Sequence, residues 1–134
     1  TALTEGRDGR IMKIGSFGFL AVAGMSLMAQ TGHGADVAAG KTVFGKCALC
    51  HSVDPSKKNI GPTLFGIVGR HSASVEGYTY SPGMKALDKT WDAATLDLYL
   101  TKPQDLVPGT KMSFAGLPNA EDRANLIAYL ATLK

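Results

Sequence analysis

Cysteine is scarce in this sequence, and the scarcity excludes several kinds of site. Only two of the 134 residues, Cys47 and Cys50, are cysteines. A disulfide between them would close a very small loop, so we do not expect one. A structural zinc site needs four ligands, commonly supplied as two pairs, and the sequence has no second pair of cysteines. A thioredoxin-like redox pair is expected near a βαβ pattern, and we find no such pattern downstream.

Charge of one sign and long apolar runs are also lacking. The 14 basic and 11 acidic residues give a net charge of only +3, and the clustered Lys/Arg runs typical of nucleic-acid binding are absent. Hydrophobic residues make up 45% and charged residues 19% of the sequence, as in ordinary globular proteins. Internal repeats, low-complexity tracts and convincing strands do not occur. The length therefore predicts one domain with a short extension.

The first 34 residues have the pattern of an export signal. Lys13 precedes an uncharged apolar stretch over residues 14–28, and small residues follow up to a cleavage site before Ala35. This order is typical of a secretory signal peptide. The apolar stretch is shorter than the about 20 residues of a comfortable membrane span, although an uncleaved segment serving as a membrane tether is the alternative. We expect residues 1–34 to be absent from a mature periplasmic protein, and residues 35–134 to form its domain.

The two cysteines belong to a motif with a specific chemistry. Cys47, Cys50 and His51 read C-x-x-C-H, the attachment signature of a c-type haem. Residues three and four apart lie on one face of a helical turn. Both thiols can therefore form thioethers to one haem while the imidazole of His51 points at its iron.

The remaining pattern predicts an all-α fold of a few short helices. Asp36 is a plausible cap for a first helix that runs into the haem motif. Further helices are predicted over residues 82–87, over residues 93–101 after Asp92, and after Asn119. Gly- and Pro-rich loops fill residues 60–70 and 104–118. A haem in the middle would supply the apolar surface on which such irregular loops can pack.

From Asp36 to the end, the chain resembles the class I cytochromes c. C-x-x-C-H alone is shared by all c-type cytochromes, whereas the Pro-Gly-Thr-Lys-Met run ending at Met112 is much more specific. The matching positions, in chain order, are Gly40, Phe44, Gly61, Pro62, Leu64, Gly66, Gly69, Arg70, Tyr78, Tyr80, Trp91, Tyr99, Leu100, Pro108, Gly109, Thr110, Lys111, Met112, Phe114, Gly116, Leu126, Tyr129 and Leu130. The resemblance implies the cytochrome c fold around one haem.

The resemblance also implies roles for individual residues. Met112 is implied as the second axial ligand, the alternative being a gap-filling core methionine. Pro62 is implied to accept a hydrogen bond from His51 Nδ1–H, and Tyr99 to lie near the Met112 sulfur. Other residues implied to line the haem pocket or surround the propionates are Arg70, Tyr80, Trp91, Thr110 and Phe114. Ordinary packing is the alternative for each of them.

Two further expectations concern regions away from the ligands. Gly40 and Phe44 are expected to meet Leu126 and Tyr129 where the terminal helices cross, which would explain a glycine inside a helix. Gly83 and Met84 stand where the family often has a polar residue at the inner edge of the haem pocket, a difference of the kind that can shift a reduction potential.

The implied function is one-electron transfer rather than catalysis. With His51 and Met112 bound, the iron has no open site, and this ligand pair favours a fairly high reduction potential. A soluble, monomeric carrier between membrane-bound respiratory or photosynthetic complexes is expected, with Lys46 and Lys111 as docking residues. Two alternatives stay open: a haem enzyme or gas sensor from which Met112 dissociates, and a haem subunit fixed to a larger dehydrogenase or oxidase.

Overall fold

The computed structural model describes residues 34–134, so the predicted signal segment at residues 12–33 and the residues before it lie outside its description. The described part is all-α, as predicted. It contains no strand, only one isolated antiparallel bridge between His71 and Thr90. None of the helices in this part is long and apolar enough to cross a membrane. The helices are α1 Val37–Phe44, α2 Pro82–Leu87, α3 Ala93–Thr101, α4 Pro103–Leu106 and α5 Ala120–Leu130.

The helices begin where side chains can bond the free N–H groups of the first turn. Asp36 Oδ1 accepts from the backbone N–H groups of Ala38 and Ala39 at 2.8 and 3.1 Å. Asp92 caps α3 and Asn119 caps α5 in the same way. Such caps satisfy donors that a helix cannot satisfy itself. The three predicted helix starts are therefore confirmed.

Two predicted details of the helices are wrong. The first helix does not run into the haem motif: it ends at Phe44, and residues 45–50 form consecutive turns. The backbone N–H groups of Gly45, Lys46 and Cys47 each donate to the carbonyl three residues back, so the winding over these three residues is tighter than in an α-helix. The loop predicted over residues 104–118 begins with a short helix instead, α4. Pro103 occupies its first position, where a missing N–H costs nothing.

The terminal helices α1 and α5 cross in close backbone contact. A Cβ added to Gly40 would collide with the Asn125 carbonyl and lie 2.9 Å from Tyr129 Cβ. One turn further along, the rings of Phe44 and Tyr129 are 5.3 Å apart. The predicted reason for a glycine inside α1 is therefore confirmed.

Candidate functional site

The candidate functional site is a cavity of about 430 Å³, lined by segments between residues 46 and 130. All eleven predicted site residues border it: Cys47, Cys50, His51, Pro62, Arg70, Tyr80, Trp91, Tyr99, Thr110, Met112 and Phe114. They come from the turns after α1, the loop over residues 60–71, the segments on either side of α2, α3, and the loop between α4 and α5. Seven of the ten buried hydrophobic residues also face the cavity: Ile67, Trp91, Leu96, Tyr99, Leu100, Leu126 and Leu130. Most of the hydrophobic core is thus arranged around this space.

His51 is held at one wall of the cavity in a defined tautomer. Its Nδ1 lies 2.7 Å from the Pro62 carbonyl oxygen, and since a carbonyl can only accept, Nδ1 carries the proton. Nε2 is left with the lone pair. The ring packs on Gly61, where an added Cβ would lie 2.8 Å from Nδ1. Burial lowers the pKa of His51, and the nearby positive charge of Arg70 lowers it further. The hydrogen bond to Pro62 acts in the opposite direction but does not cancel these effects.

Both cysteines sit on the turn that leads into His51. The N–H groups of Cys50 and His51 donate to the Cys47 carbonyl at 3.0 and 2.9 Å, which closes one helical turn over the motif. The predicted geometry of the motif is thus retained although α1 ends earlier. Both thiols are half-buried and border the cavity. Burial raises the pKa of the Cys47 thiol, against the effect of the Lys46 ammonium.

Met112 borders the same cavity and is surrounded by hydroxyl groups. The Tyr99 hydroxyl lies 3.9 Å from Met112 Sδ and 3.4 Å from Thr110 Oγ1. Thr110 Oγ1 in turn accepts from the Met112 backbone N–H at 3.2 Å. Burial raises the pKa of Tyr99, so its hydroxyl stays protonated and available as a donor. The sulfur therefore has a donor on one side while remaining at the cavity wall.

The guanidinium of Arg70 donates hydrogen bonds to backbone carbonyls of the same chain. Its two terminal nitrogens donate to Thr63 O at 2.8 Å and to Phe65 O at 2.9 Å. These bonds fix the segment that directly follows Pro62. Tyr80 is tied down similarly, because its hydroxyl accepts from the Val75 N–H at 3.1 Å. Both residues still border the cavity, so they can bond the backbone and offer positive charge or a hydroxyl to an occupant.

Several residues at the cavity were not among the predicted site residues. Leu49, Ile60 and Leu64 border it, as do the aliphatic side chains of α3 and α5 named above. Leu49 lies between the two motif cysteines, and Ile60 directly precedes Gly61. Their signal in the sequence was weak, because an isolated aliphatic residue in a loop has no periodicity to reveal which way it faces.

The donor set at this cavity fits an iron that needs only axial ligands. Within residues 34–134 no group of three or more His, Cys, Asp or Glu side chains is placed to hold a metal ion. One imidazole and one thioether cannot form a closed zinc or calcium site. They are, however, a known axial pair for haem. Two thiols beside a large apolar cavity suit the covalent attachment of such a group.

Comparisons with known proteins agree with this geometry. Residues 37–134 match the family model described as Cytochrome c. Cytochrome c2 of Rhodoblastus acidophilus is 50% identical over 100 residues, covering 74% of this chain and 94% of that protein. Cytochrome c-550 of Nitrobacter winogradskyi is 50% identical over 97 residues, covering 72% and 89%. The solved structure of cytochrome cH from Methylobacterium extorquens superposes with a TM-score of 0.68 at 41% identity, covering 72% of this chain and 98% of that one.

Proposed function

Because the chain belongs to the cytochrome c family, we propose that its cavity holds one haem c between His51 and Met112 as axial ligands. The protein is an electron carrier with covalently bound haem c, attached through Cys47 and Cys50. The bound haem supplies one-electron exchange between ferric and ferrous iron. The observation that carries the ligand assignment is that His51 and Met112 border the same cavity.

The surrounding residues orient the two ligands. The Pro62 carbonyl holds the proton of His51 on Nδ1 and leaves Nε2 to bind metal, an arrangement that raises ligand basicity. Tyr99 donates toward one lone pair of Met112 Sδ and leaves the other free. The propionates of the haem would lie near Arg70, Tyr80, Trp91 and Thr110 in this proposal. Phe114 would line the haem pocket near Met112.

The proposed activity is electron carriage without catalysis. Two axial ligands from the protein leave no coordination position for oxygen, peroxide or a substrate. The soft thioether favours ferrous iron, and burial disfavours the additional charge of the ferric state, so the reduction potential is expected to be high. The proposed role is transport between membrane-bound respiratory or photosynthetic complexes.

The proposed location is the periplasm, with residues 1–34 removed. The export pattern ahead of Ala35 supports this proposal. Mass spectrometry of the protein purified from a bacterial periplasm is expected to place the N-terminus at Ala35. An intact apolar segment in the membrane fraction would instead identify a tethered carrier.

Lys46 and Lys111 are the proposed docking residues for redox partner proteins. Both border the cavity. Lys111 Nζ donates to Thr79 O at 2.7 Å, which holds an exposed ammonium in place. Two other lysines are partly neutralised, because Lys57 lies 4.0 Å from Asp54 and Lys102 lies 3.2 Å from Asp105.

Absorption spectra of the purified protein, oxidised and reduced, test the proposed ligands. A long-wavelength methionine–iron band is expected in the oxidised form, and carbon monoxide is not expected to bind the reduced form at neutral pH. Binding of carbon monoxide together with a missing band would contradict the carrier proposal and favour a gas sensor or a haem enzyme.

A further inference from the structure

The loop between α4 and α5, which carries Met112, is bonded at its far end by Arg123. Arg123 belongs to α5 and does not border the cavity. Its Nη1 donates to Leu117 O at 2.8 Å and to Pro118 O at 3.1 Å. Its Nε donates to Asp97 Oδ1 at 2.7 Å. One guanidinium therefore joins α5, the end of the Met112 loop and α3.

The burial of this guanidinium makes its bonds hard to replace with water. The side chain of Arg123 is only 12% exposed, and that of Asp97 is 46% exposed. Hydrogen bonds from a charged donor are stronger than neutral ones, and leaving a buried donor or acceptor without a partner is costly. By contrast, the side chains of the Lys102–Asp105 pair are 61% and 69% exposed, and exposed pairs contribute little. The position of the loop end is thus tied to that of α3.

The part of α3 that receives the loop end also carries the hydroxyl beside Met112. The Tyr99 hydroxyl lies 3.9 Å from Met112 Sδ. The next residue, Leu100, accepts a bond from the Leu117 N–H at 2.7 Å. Gly116 approaches so closely that an added Cβ would collide with the last carbonyl of α3. The sulfur and the hydroxyl therefore keep their relative positions only while the loop end stays against α3.

We propose that Arg123, oriented by Asp97, is a positioning residue for the axial ligand Met112. It acts through the carbonyls of Leu117 and Pro118 and touches neither the iron nor the cavity. The proposal rests on the proposed ligation by Met112 and adds what keeps that ligand in place. Without the guanidinium, only backbone contacts hold the loop end against α3. The loop then leaves α3 more often, and the sulfur leaves the iron with it.

Imidazole titration of the oxidised, haem-loaded protein measures how often Met112 leaves the iron. Imidazole binds the iron only after the sulfur has left, so its apparent affinity is proportional to the open fraction of molecules. The long-wavelength methionine–iron band disappears as it binds. Arg123→Met removes the donors and keeps an unbranched apolar side chain. Its apparent affinity for imidazole is expected to rise about tenfold, as for the loss of one hydrogen bond to a charged group.

Substitutions at Asp97 test whether the carboxylate acts through Arg123. Asp97→Ala is expected to raise the affinity for imidazole less than Arg123→Met does, since the guanidinium keeps both carbonyls. Combined with Arg123→Met it should add nothing further. Additive effects of the two substitutions would overturn the role of Asp97. Arg123→Lys keeps the charge but not the planar fork of donors, so its affinity should lie between wild type and Arg123→Met.

Two controls separate positioning from general stability and from net charge. Gly40→Ala is expected to weaken the crossing of α1 and α5, where its added Cβ meets Asn125 and Tyr129 rather than the Met112 loop. Its melting temperature should fall while its affinity for imidazole stays at the wild-type value. Lys102→Met removes one positive charge and should also bind imidazole as wild type does. An equal rise in either control, or wild-type affinity of Arg123→Met, would overturn the proposal.

Hydrogen exchange separates failure of this proposal from failure of the ligand assignment. The Leu117 N–H should exchange faster in Arg123→Met than in wild type, and the acceleration should exceed that of the amides in α1. This readout does not depend on which atom binds the iron. A missing methionine–iron band in the wild type would count against ligation by Met112 itself. Unchanged exchange at Leu117 would overturn the role of Arg123 whatever the ligand.

Discussion

At the scale of single residues, the cavity is organised by bonds that the chain makes to itself. The Pro62 carbonyl orients the His51 ring, and Gly61 lies so close to that ring that a side chain there would collide with it. Around Met112, the other proposed ligand, Tyr99 and Thr110 form a small hydroxyl network. Preorganised ligands of this kind need little rearrangement when the iron changes charge, which is what fast electron transfer requires.

Met112→Leu is expected to open one axial position. Leucine keeps the apolar volume but has no lone pair, so the long-wavelength band should disappear and carbon monoxide should bind the reduced protein. The reduction potential should fall by on the order of 0.1 V, within the about 0.8 V that axial ligands span. Absorption spectroscopy and a redox titration measure these changes.

Met84→Leu is the control for this substitution. Met84 also borders the cavity, but the proposed coordination does not use its sulfur. The band should survive in this variant, and carbon monoxide should still fail to bind. If Met84→Leu abolished the band while Met112→Leu kept it, the assignment of Met112 would be wrong.

At the scale of elements, the crossing of α1 and α5 fixes the two ends of the domain against each other. Alanine is more favourable than glycine inside a helix by about 1 kcal/mol, so Gly40→Ala would stabilise α1 if the helix were isolated. In this protein the added methyl group meets the Asn125 carbonyl, which belongs to a helix backbone and cannot move aside. The net expectation is destabilisation by about 1–3 kcal/mol, measured by chemical or thermal unfolding.

Ala38→Gly on the same helix provides the comparison. Ala38 is exposed, so its replacement should cost only the propensity term of about 1 kcal/mol. Increased stability of Gly40→Ala would mean that α1 and α5 are not in close contact at this point.

The start of α3 gives an expectation about pH. A hydrogen bond from the Thr95 backbone N–H lowers the pKa of Asp92 below its usual value of 3.8. Because the folded pKa is lower than the unfolded one, Asp92 contributes stability above pH 3.8, and that contribution is lost as pH falls through the folded pKa. The difference in melting temperature between wild type and Asp92→Ala should therefore shrink on acidification below pH 4.

Asp92→Asn separates charge from capping. Asparagine caps a helix about as well as aspartate but does not titrate, so its advantage over alanine should stay constant across the same pH range. A difference between wild type and Asp92→Ala that stays constant down to pH 2 would contradict the role of the carboxylate.

At the scale of the whole molecule, the group that fills the cavity is part of the hydrophobic core. Most buried hydrophobic residues of the described chain face it. Seven buried hydrophobic side chains face this group, and burial of each contributes about 1.5–3 kcal/mol. Together these contributions are comparable with the total stability of a typical domain, about 5–15 kcal/mol.

Replacing both cysteines by alanine is therefore expected to prevent folding as well as haem attachment. Circular dichroism of the Cys47→Ala/Cys50→Ala protein should show most of the helical signal lost and no cooperative melting. Cys47→Ala alone, which keeps one attachment point, should retain more helix. A double variant with native-like circular dichroism would show that α1–α5 fold without the group in the cavity.

Much of the site was predictable because its signals are local in sequence. The spacing of Cys47, Cys50 and His51 specifies covalent chemistry within one turn, and Asp36, Asp92 and Asn119 mark helix starts through bonds to neighbours two or three residues away. The resemblance to class I cytochromes c extended this to Met112. Every residue predicted for the site borders the cavity that the structure describes.

Sequence reasoning missed features that depend on how segments pack. The short helix that begins at Pro103 lies in contact with α3, and the Gly/Pro-rich composition of residues 104–118 does not record that contact. Leu49 and Ile60 are exposed although both are large and aliphatic, and the sequence did not indicate this because an aliphatic residue in a loop can face either way until its neighbours are placed. The spacing of Cys47, Cys50 and His51 along the chain was enough to specify the chemistry, because those residues act within one turn. Which side chains enclose that chemistry and which remain exposed to solvent depends on how distant segments fold together.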